Sequence, residues 1–378
     1  MATSATREAA GTREGPVSGS GLSPLLFAGI VVASIGGPLA LVALQIPASS
    51  EIASRVPWVT LAGTVLFLAP IAVWYGYARR IASAGGLTAF VEAAAGRRVA
   101  TAQGALWIVS YALYMVYTIP QVVYEMLPAA VSIPTWAQPA LAIGMAVAVG
   151  GTALLPLRWA VSLAALVAVA QILLVLMLAG VVLPHPARAL SASPAFGAAS
   201  LATAQASLFY VCGSLPLFLS SEVEGGARGA SRGLLVGFAV AAVVVLVGVA
   251  AVARAGIQGD SVAIPGQHLA SGLGAPGLGL AVGVGASVST AVVVLAEFLA
   301  MSRLVHHLFV WPVRRVTLVM AAALVAGTAV TLVNPIGIYE ALLKPSLIAL
   351  WLSQVIVFAV YPLYRARMEP GRRGGSLA

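Results

Sequence analysis

Charge is what this chain has least of. Only 8% of its 378 residues are Asp, Glu, Lys or Arg, against 61% hydrophobic, and the mean hydropathy is +1.02. A typical soluble domain carries roughly three times that charged fraction. The shortage excludes a water-soluble fold and leaves a polytopic protein whose main partner is the lipid bilayer. Cysteine occurs once, as Cys212, which excludes an internal disulfide and any Cys-based redox framework. Lysine also occurs once, as Lys344, four residues after Glu340, and the spacing predicts an ion pair between them. Catalytic signatures are missing too: the chain has no HExxH, no GxSxG and no paired carboxylates, so an enzyme is not expected. His306 and His307 stand without further ligands at metal spacing and read as an inner-surface pair. The net charge of +9 would suit nucleic acid only if it formed a patch. The arginines instead fall at the ends of apolar runs, where they act as topology signals, and no nucleic-acid partner is expected.

What is present is a series of long apolar runs. Ten of them can cross about 30 Å of hydrocarbon, at 24–46, 57–78, 99–127, 137–156, 159–183, 199–221, 232–254, 276–303, 315–333 and 338–364. Pro120 and Pro345 are placed to kink the long third and tenth runs. With the N-terminus inside, sixteen of the 20 Lys and Arg lie in cytoplasmic segments, from Arg7 through Arg79, Arg80, Arg303 and Arg315 to Arg373. An odd number of spans would put one end's arginines outside, so both termini are expected in the cytoplasm of a cell with the protein in its plasma or inner membrane. Residues 1–22 are small, polar and of mixed charge, and read as a disordered cytoplasmic tail rather than a cleaved signal. Residues 365–378 read as a basic cytoplasmic tail.

Two of the runs are interrupted. Ser34-Ile35-Gly36-Gly37-Pro38 lies mid-way in the first, and Cys212-Gly213-Ser214-Leu215-Pro216 mid-way in the sixth. Glycine and proline break a helix, and a break at membrane depth is tolerated where protein or a cavity satisfies the freed backbone groups. The breaks are 213 − 36 = 177 residues apart, close to half the chain. The same offset pairs a long loop after the second run, holding a helix-like piece at 87–95, with a long loop after the seventh, holding one near 267–272. This predicts an all-α inverted repeat of two five-span halves, 23–198 and 199–364, with the binding site between the broken helices.

Around that pair the chain offers further candidates. Tyr111, Tyr114 and Thr118 share one face of the third run and are placed to wall a pocket. Phe209 and Tyr210 precede the second break and are candidate gates. Glu297 lies deep in the eighth run, where a carboxylate is costly and by default functional. It is either a proton carrier or the partner of Arg303. Ser289 and Thr290 offer oxygens for a sodium ion instead. Glu222 and Arg228 are expected to brace the end of the sixth helix.

Three stretches resemble the amino acid–polyamine–organocation transporter superfamily. They are Ser83-Ala84-Gly85-Gly86-Leu87-Thr88-Ala89-Phe90-Val91-Glu92 with Gly96, Gly104 and Trp107; Gly213 with Glu222, Arg228 and Arg232; and Ser302-Arg303-Leu304. The resemblance implies a leucine-transporter-type fold with substrate between broken helices one and six; the residues that the breaks and the third run place there are Ser34, Ile35, Gly36, Gly37, Tyr111, Tyr114, Phe209, Cys212, Gly213, Ser214 and Leu215. The chain departs from the family's pattern in stopping after ten spans, in Pro38 within the first break, and in lacking Asn-Pro after the sixth helix. The expected function is secondary active transport of a small organic solute, an amino acid or related amine, by alternating access, either coupled to protons or sodium or exchanging one solute for another, and using no bound cofactor. A channel and a non-transporting membrane sensor of the same fold are the rivals.

Overall fold

A chain in hydrocarbon has no water to satisfy its backbone, so each apolar run closes its hydrogen bonds upon itself as a helix. The computed structural model describes residues 21–46, 57–186, 195–255 and 264–368, and among these ten helices are long and apolar enough to cross a membrane. They are Pro24–Gln45, Pro57–Ala78, Arg97–Ala130, Thr135–Leu154, Leu157–Val182, Phe196–Glu222, Gly226–Ala255, Pro276–Phe309, Val313–Thr331 and Pro335–Met368, here the first to tenth spans. The two short helices anticipated in the long loops are also present, at Gly86–Ala95 and Pro265–Gly272.

Burial sorts the spans into layers. The most apolar stretch of the first span is 78% buried and that of the eighth 61%, whereas the ninth is 22% buried and the fourth 28%. The first and eighth are therefore central, and the fourth and ninth face lipid. The pairing of helices repeats on a five-span shift. The first packs on the seventh and the sixth on the second; the fifth packs on the eighth and the tenth on the third; the fourth packs on the ninth. Adding five to every number returns these same pairs, whereas the contact of the first span with the fifth has no comparable counterpart between the sixth and the tenth. Close approach relies on small residues. At Gly233 and Gly237 of the seventh span a Cβ would strike Phe27, Val31 and the backbone of the first.

Several sequence expectations are revised. Leu22, assigned to the disordered tail, is fully buried and pairs with the end of the sixth span, its N–H donating to the Glu222 carbonyl at 2.8 Å while its carbonyl accepts from the Glu224 N–H at 2.8 Å. Residues 1–20 and 369–378, the greater part of both tails, lie outside the described residues. In the third span regular α-winding stops just after Pro120, at Gln121, and gives way to a π-turn at Val122–Met126. The tenth instead runs on through Pro345, and its interruption falls at Val360. Helical winding then continues to Met368, so Arg365 and Arg367 belong to a helix and not to a tail. Glu340 and Lys344 are both exposed and form no ion pair within 4.0 Å. Glu222 pairs not with Arg228 but with Arg303, Nε to Oε1 at 3.1 Å, tying the sixth span to the eighth. The two histidines serve the surface. His307 lies 3.3 Å from the Glu92 carboxylate and His306 bonds the Trp311 carbonyl.

Candidate functional site

The first span breaks where the glycines predict. Its α-helix ends at Ser34, Gly36 and Gly37 take φ of +87° and +72°, and winding resumes at Pro38 with no side-chain cap. Those dihedrals are open to glycine and strained for other residues. Proline at the first position of the new segment loses nothing, because its N–H would have no helical partner there. Beyond Ala40 the turn widens into a π-segment at Leu41–Gln45, which sets the Gln45 carboxamide about 3.5 Å from the Cβ position of Gly36.

The sixth span behaves differently. Its α-helix ends at Leu208, Phe209 and Tyr210 form a turn, and Val211–Glu222 winds on as a 3-10 helix of 12 residues. The interruption therefore precedes Gly213–Pro216, and these residues are helical in an overwound form, contrary to the expectation of an open break there. A 3-10 run of this length is unusual. With Pro216 lacking an N–H, tighter winding keeps neighbouring backbone groups paired. Tyr210 turns towards the second and seventh spans: its hydroxyl bonds Thr64 at 2.9 Å and its ring packs on Phe67 and Phe238. Phe209 is half-buried at the turn.

The first span's break meets the overwound segment of the sixth span. A Cβ on Gly213 would lie 3.1 Å from Ile35 Cγ1, so the bare backbone of the sixth span accepts the side chain at the first span's break. Tyr111 brings the third span to the same place. Its hydroxyl donates to Cys212 Sγ at 3.8 Å, and its ring is wedged against Trp107, which rests on Phe218. Tyr114 continues the wall, 6.4 Å from Tyr111 and 5.2 Å from Tyr117 between ring centres. Leu215 is fully buried. The hydroxyls of Ser34 and Ser214 turn back to the Val31 and Val211 carbonyls, each at 3.0 Å.

Glu297 is fully buried in the eighth span, and neither carboxylate oxygen has a hydrogen-bond partner among the described residues. Arg303, its expected alternative partner, is engaged by Glu222 and Ser302. The carboxylate is within electrostatic range of Tyr111, Tyr114, Tyr117 and Cys212. Ser289 and Thr290 donate to the Gly285 and Ala286 carbonyls, at 2.6 Å and 3.1 Å, so their hydroxyl protons are committed to their own helix.

Two glutamines escaped the sequence reading. Gln171 of the fifth span is 1% exposed, and both ends of its amide lack a partner among the described residues. It lies so close to the first break that a Cβ on Gly37 would run into its carboxamide. Gln354 of the tenth span is fully buried and donates through Nε2 to Ser214 Oγ at 3.3 Å, leaving its Oε1 without a partner among the described residues. Each stands in the half that holds its break, and 354 − 171 = 183 is close to the 177 separating the breaks. The signal was available in that each is a lone amide in an otherwise apolar stretch, and such residues face the bundle interior.

No protein-family model and no curated protein matches this chain. Solved structures do. The chain is similar to the manganese transporter of Eremococcus coleocola in complex with an aromatic bis-isothiourea substituted compound, at TM-score 0.54 and 12% identity, with 94% of this chain and 88% of that one covered. An alanine mutant of the same transporter matches at TM-score 0.52 with the same identity and coverage. At that identity the likeness establishes the fold. The chain is a multi-pass membrane protein with the architecture of a transporter.

Proposed function

We propose that the chain is a secondary active transporter of a small organic solute, an amino acid or related amine, as its resemblance to the amino acid–polyamine–organocation superfamily implies. The observation that carries this reading is the meeting of the two interrupted helices, Ile35 against Gly213, beside an unpartnered buried carboxylate at Glu297. The donor set suits an organic cation or zwitterion. One carboxylate attracts an amine; the Gln171 and Gln354 amides and the Tyr111 hydroxyl can bond a polar head; Tyr111, Tyr114, Ile35 and Leu215 present apolar surface. The solved relative is named a manganese transporter, but no group of three or more His, Cys, Asp or Glu side chains gathers among the described residues of this chain. A manganese ion favours several hard oxygen ligands, and one carboxylate with a thiol is a poor set for it. Alternating access is read as the movement of one helix bundle against the other around the breaks. The rival channel reading gains nothing, since Glu297 is a single carboxylate and forms no acidic ring.

Purified protein in liposomes tests the proposal. Amino acids, primary amines and Mn2+ are screened first for thermal stabilisation and then for counterflow. At least one organic solute is expected to raise the melting temperature and to show saturable counterflow. Unsaturable flux would make the chain a channel. Counterflow of Mn2+ alone would move the cargo to a metal and overturn the assignment.

A further inference from the structure

At the arginine-bearing end of the second and tenth spans lies a cavity of about 260 Å3 that shares no residue with the site between the breaks. Its walls include Tyr75, Arg79 and Arg80 from the second span and its end, and Tyr361, Tyr364 and Arg365 from the tenth. Three guanidinium groups and three phenols therefore converge in a space several times the roughly 30 Å3 share of one water molecule. Two details show how the cavity is built. The Tyr361 hydroxyl lies on the backbone at Gly76, where any side chain would displace it. Tyr364 is 2% exposed, yet its hydroxyl has no hydrogen-bond partner among the described residues. A buried donor of this kind is costly unless something outside the protein completes it. Beside the cavity the surface turns apolar, with Leu363 53% exposed and Leu68 50% exposed on the outward faces of the same two spans.

We propose that this cavity binds a phosphate-bearing anion, and that its source is the headgroup of an anionic phospholipid in the leaflet at the arginine-rich face. Arginine forks match phosphate oxygens in geometry and charge. A basic pocket between spans at a membrane surface is placed to take a headgroup while the acyl chains follow Leu68 and Leu363. The phosphate oxygens accept from Arg79 and Arg365 and from the Tyr364 hydroxyl, which gives that hydroxyl its missing partner. Bound lipid then clamps the second span, of the first half, to the tenth, of the second half.

The test uses the full chain, purified in detergent and stripped of lipid. Melting temperature and native mass spectra are recorded with phosphatidylglycerol, with cardiolipin, with phosphatidylcholine and with inorganic phosphate. The anionic lipids are expected to raise the melting temperature and to remain bound in the spectrometer, and phosphatidylcholine to do neither. In the double variant Arg79→Gln with Arg365→Gln, lipid affinity should fall by about 25-fold, at roughly fivefold per arginine. Tyr364→Phe is the decisive variant. It removes a hydroxyl that no described protein group bonds, so the lipid-free melting temperature should stay at or rise above the wild-type value while the gain from lipid shrinks. Equal stabilisation by phosphatidylcholine, or an undiminished gain in both variants, would overturn the site. A full shift with inorganic phosphate alone would retain a phosphate site and overturn the lipid as its source.

Discussion

Gly37 and Glu297 carry the two sharpest consequences of the structure. Gly37 holds a φ that glycine tolerates, and its missing side chain makes room for the Gln171 carboxamide. Alanine there adds backbone strain of about 1–3 kcal/mol and a collision as well. Gly37→Ala is therefore expected to lower both the melting temperature and the affinity for solute. Adding Gln171→Ala should restore part of the stability, because the collision is relieved, without restoring affinity, because the amide is gone. Calorimetry and ligand titration of the two variants separate these effects; recovery of both quantities would make Gln171 a packing residue only. At Glu297 the expected outcome concerns coupling. Glutamine keeps the shape and loses the titration, so Glu297→Gln should abolish uphill uptake driven by a proton gradient while labelled solute still exchanges for unlabelled. Full proton-driven uptake in that variant would remove the residue from the mechanism, and strict sodium dependence of the wild type would turn attention to Ser289 and Thr290.

Among the elements, the contact of the third span with the tenth is the one most visibly fastened. Ser110 Oγ donates to the Ser346 carbonyl at 2.8 Å, and Ser346 Oγ donates to the Ser110 carbonyl at 3.0 Å. Both residues are at most 1% exposed. The Ser346 bond lies one residue beyond Pro345, whose ring removes an N–H from the tenth helix, so the clasp steadies the helix where its own ladder is weakest. Interhelical bonds of this type average about 0.6 kcal/mol and reach about 1.7. Ser110→Ala with Ser346→Ala is expected to cost about 1–2 kcal/mol in an unfolding titration in mixed micelles. The spans are near enough that the loss should be less than the sum of the two single variants; strict additivity would mean that the two bonds act separately. The long 3-10 run from Val211 to Glu222 is the element that the sequence described least well. Gly213 and Pro216 marked the irregularity, but whether it would open or wind more tightly depended on Ile35 and Tyr111 filling the space beside it.

For the whole molecule, alternating access requires the seam between the first and sixth spans to open to each side in turn. Cys212 reports on that seam, because it is the chain's one cysteine and lies under Tyr111. A maleimide is expected to label Cys212 slowly, solute should protect it, and the adduct should block counterflow. Labelling that is fast and indifferent to solute would place the thiol outside the transport path. Much of this architecture could be read directly from the residues. Ten spans, the glycine break in the first and the two short loop helices follow from hydropathy and from glycine and proline, since in hydrocarbon each segment must satisfy its own backbone locally. What the sequence left open were partnerships between distant segments. Arg303 might equally have paired with Glu297 by spacing along one helix, yet the fold gives it Glu222, 81 residues away. That choice leaves Glu297 without a partner among the described residues. Gln171 and Gln354 look like isolated polar residues until the fifth and tenth spans bring them to their breaks. Local periodicity determines which residues are helical and which face is apolar; only the packing of helices far apart in the chain decides which buried polar groups are satisfied by protein and which are left for a ligand.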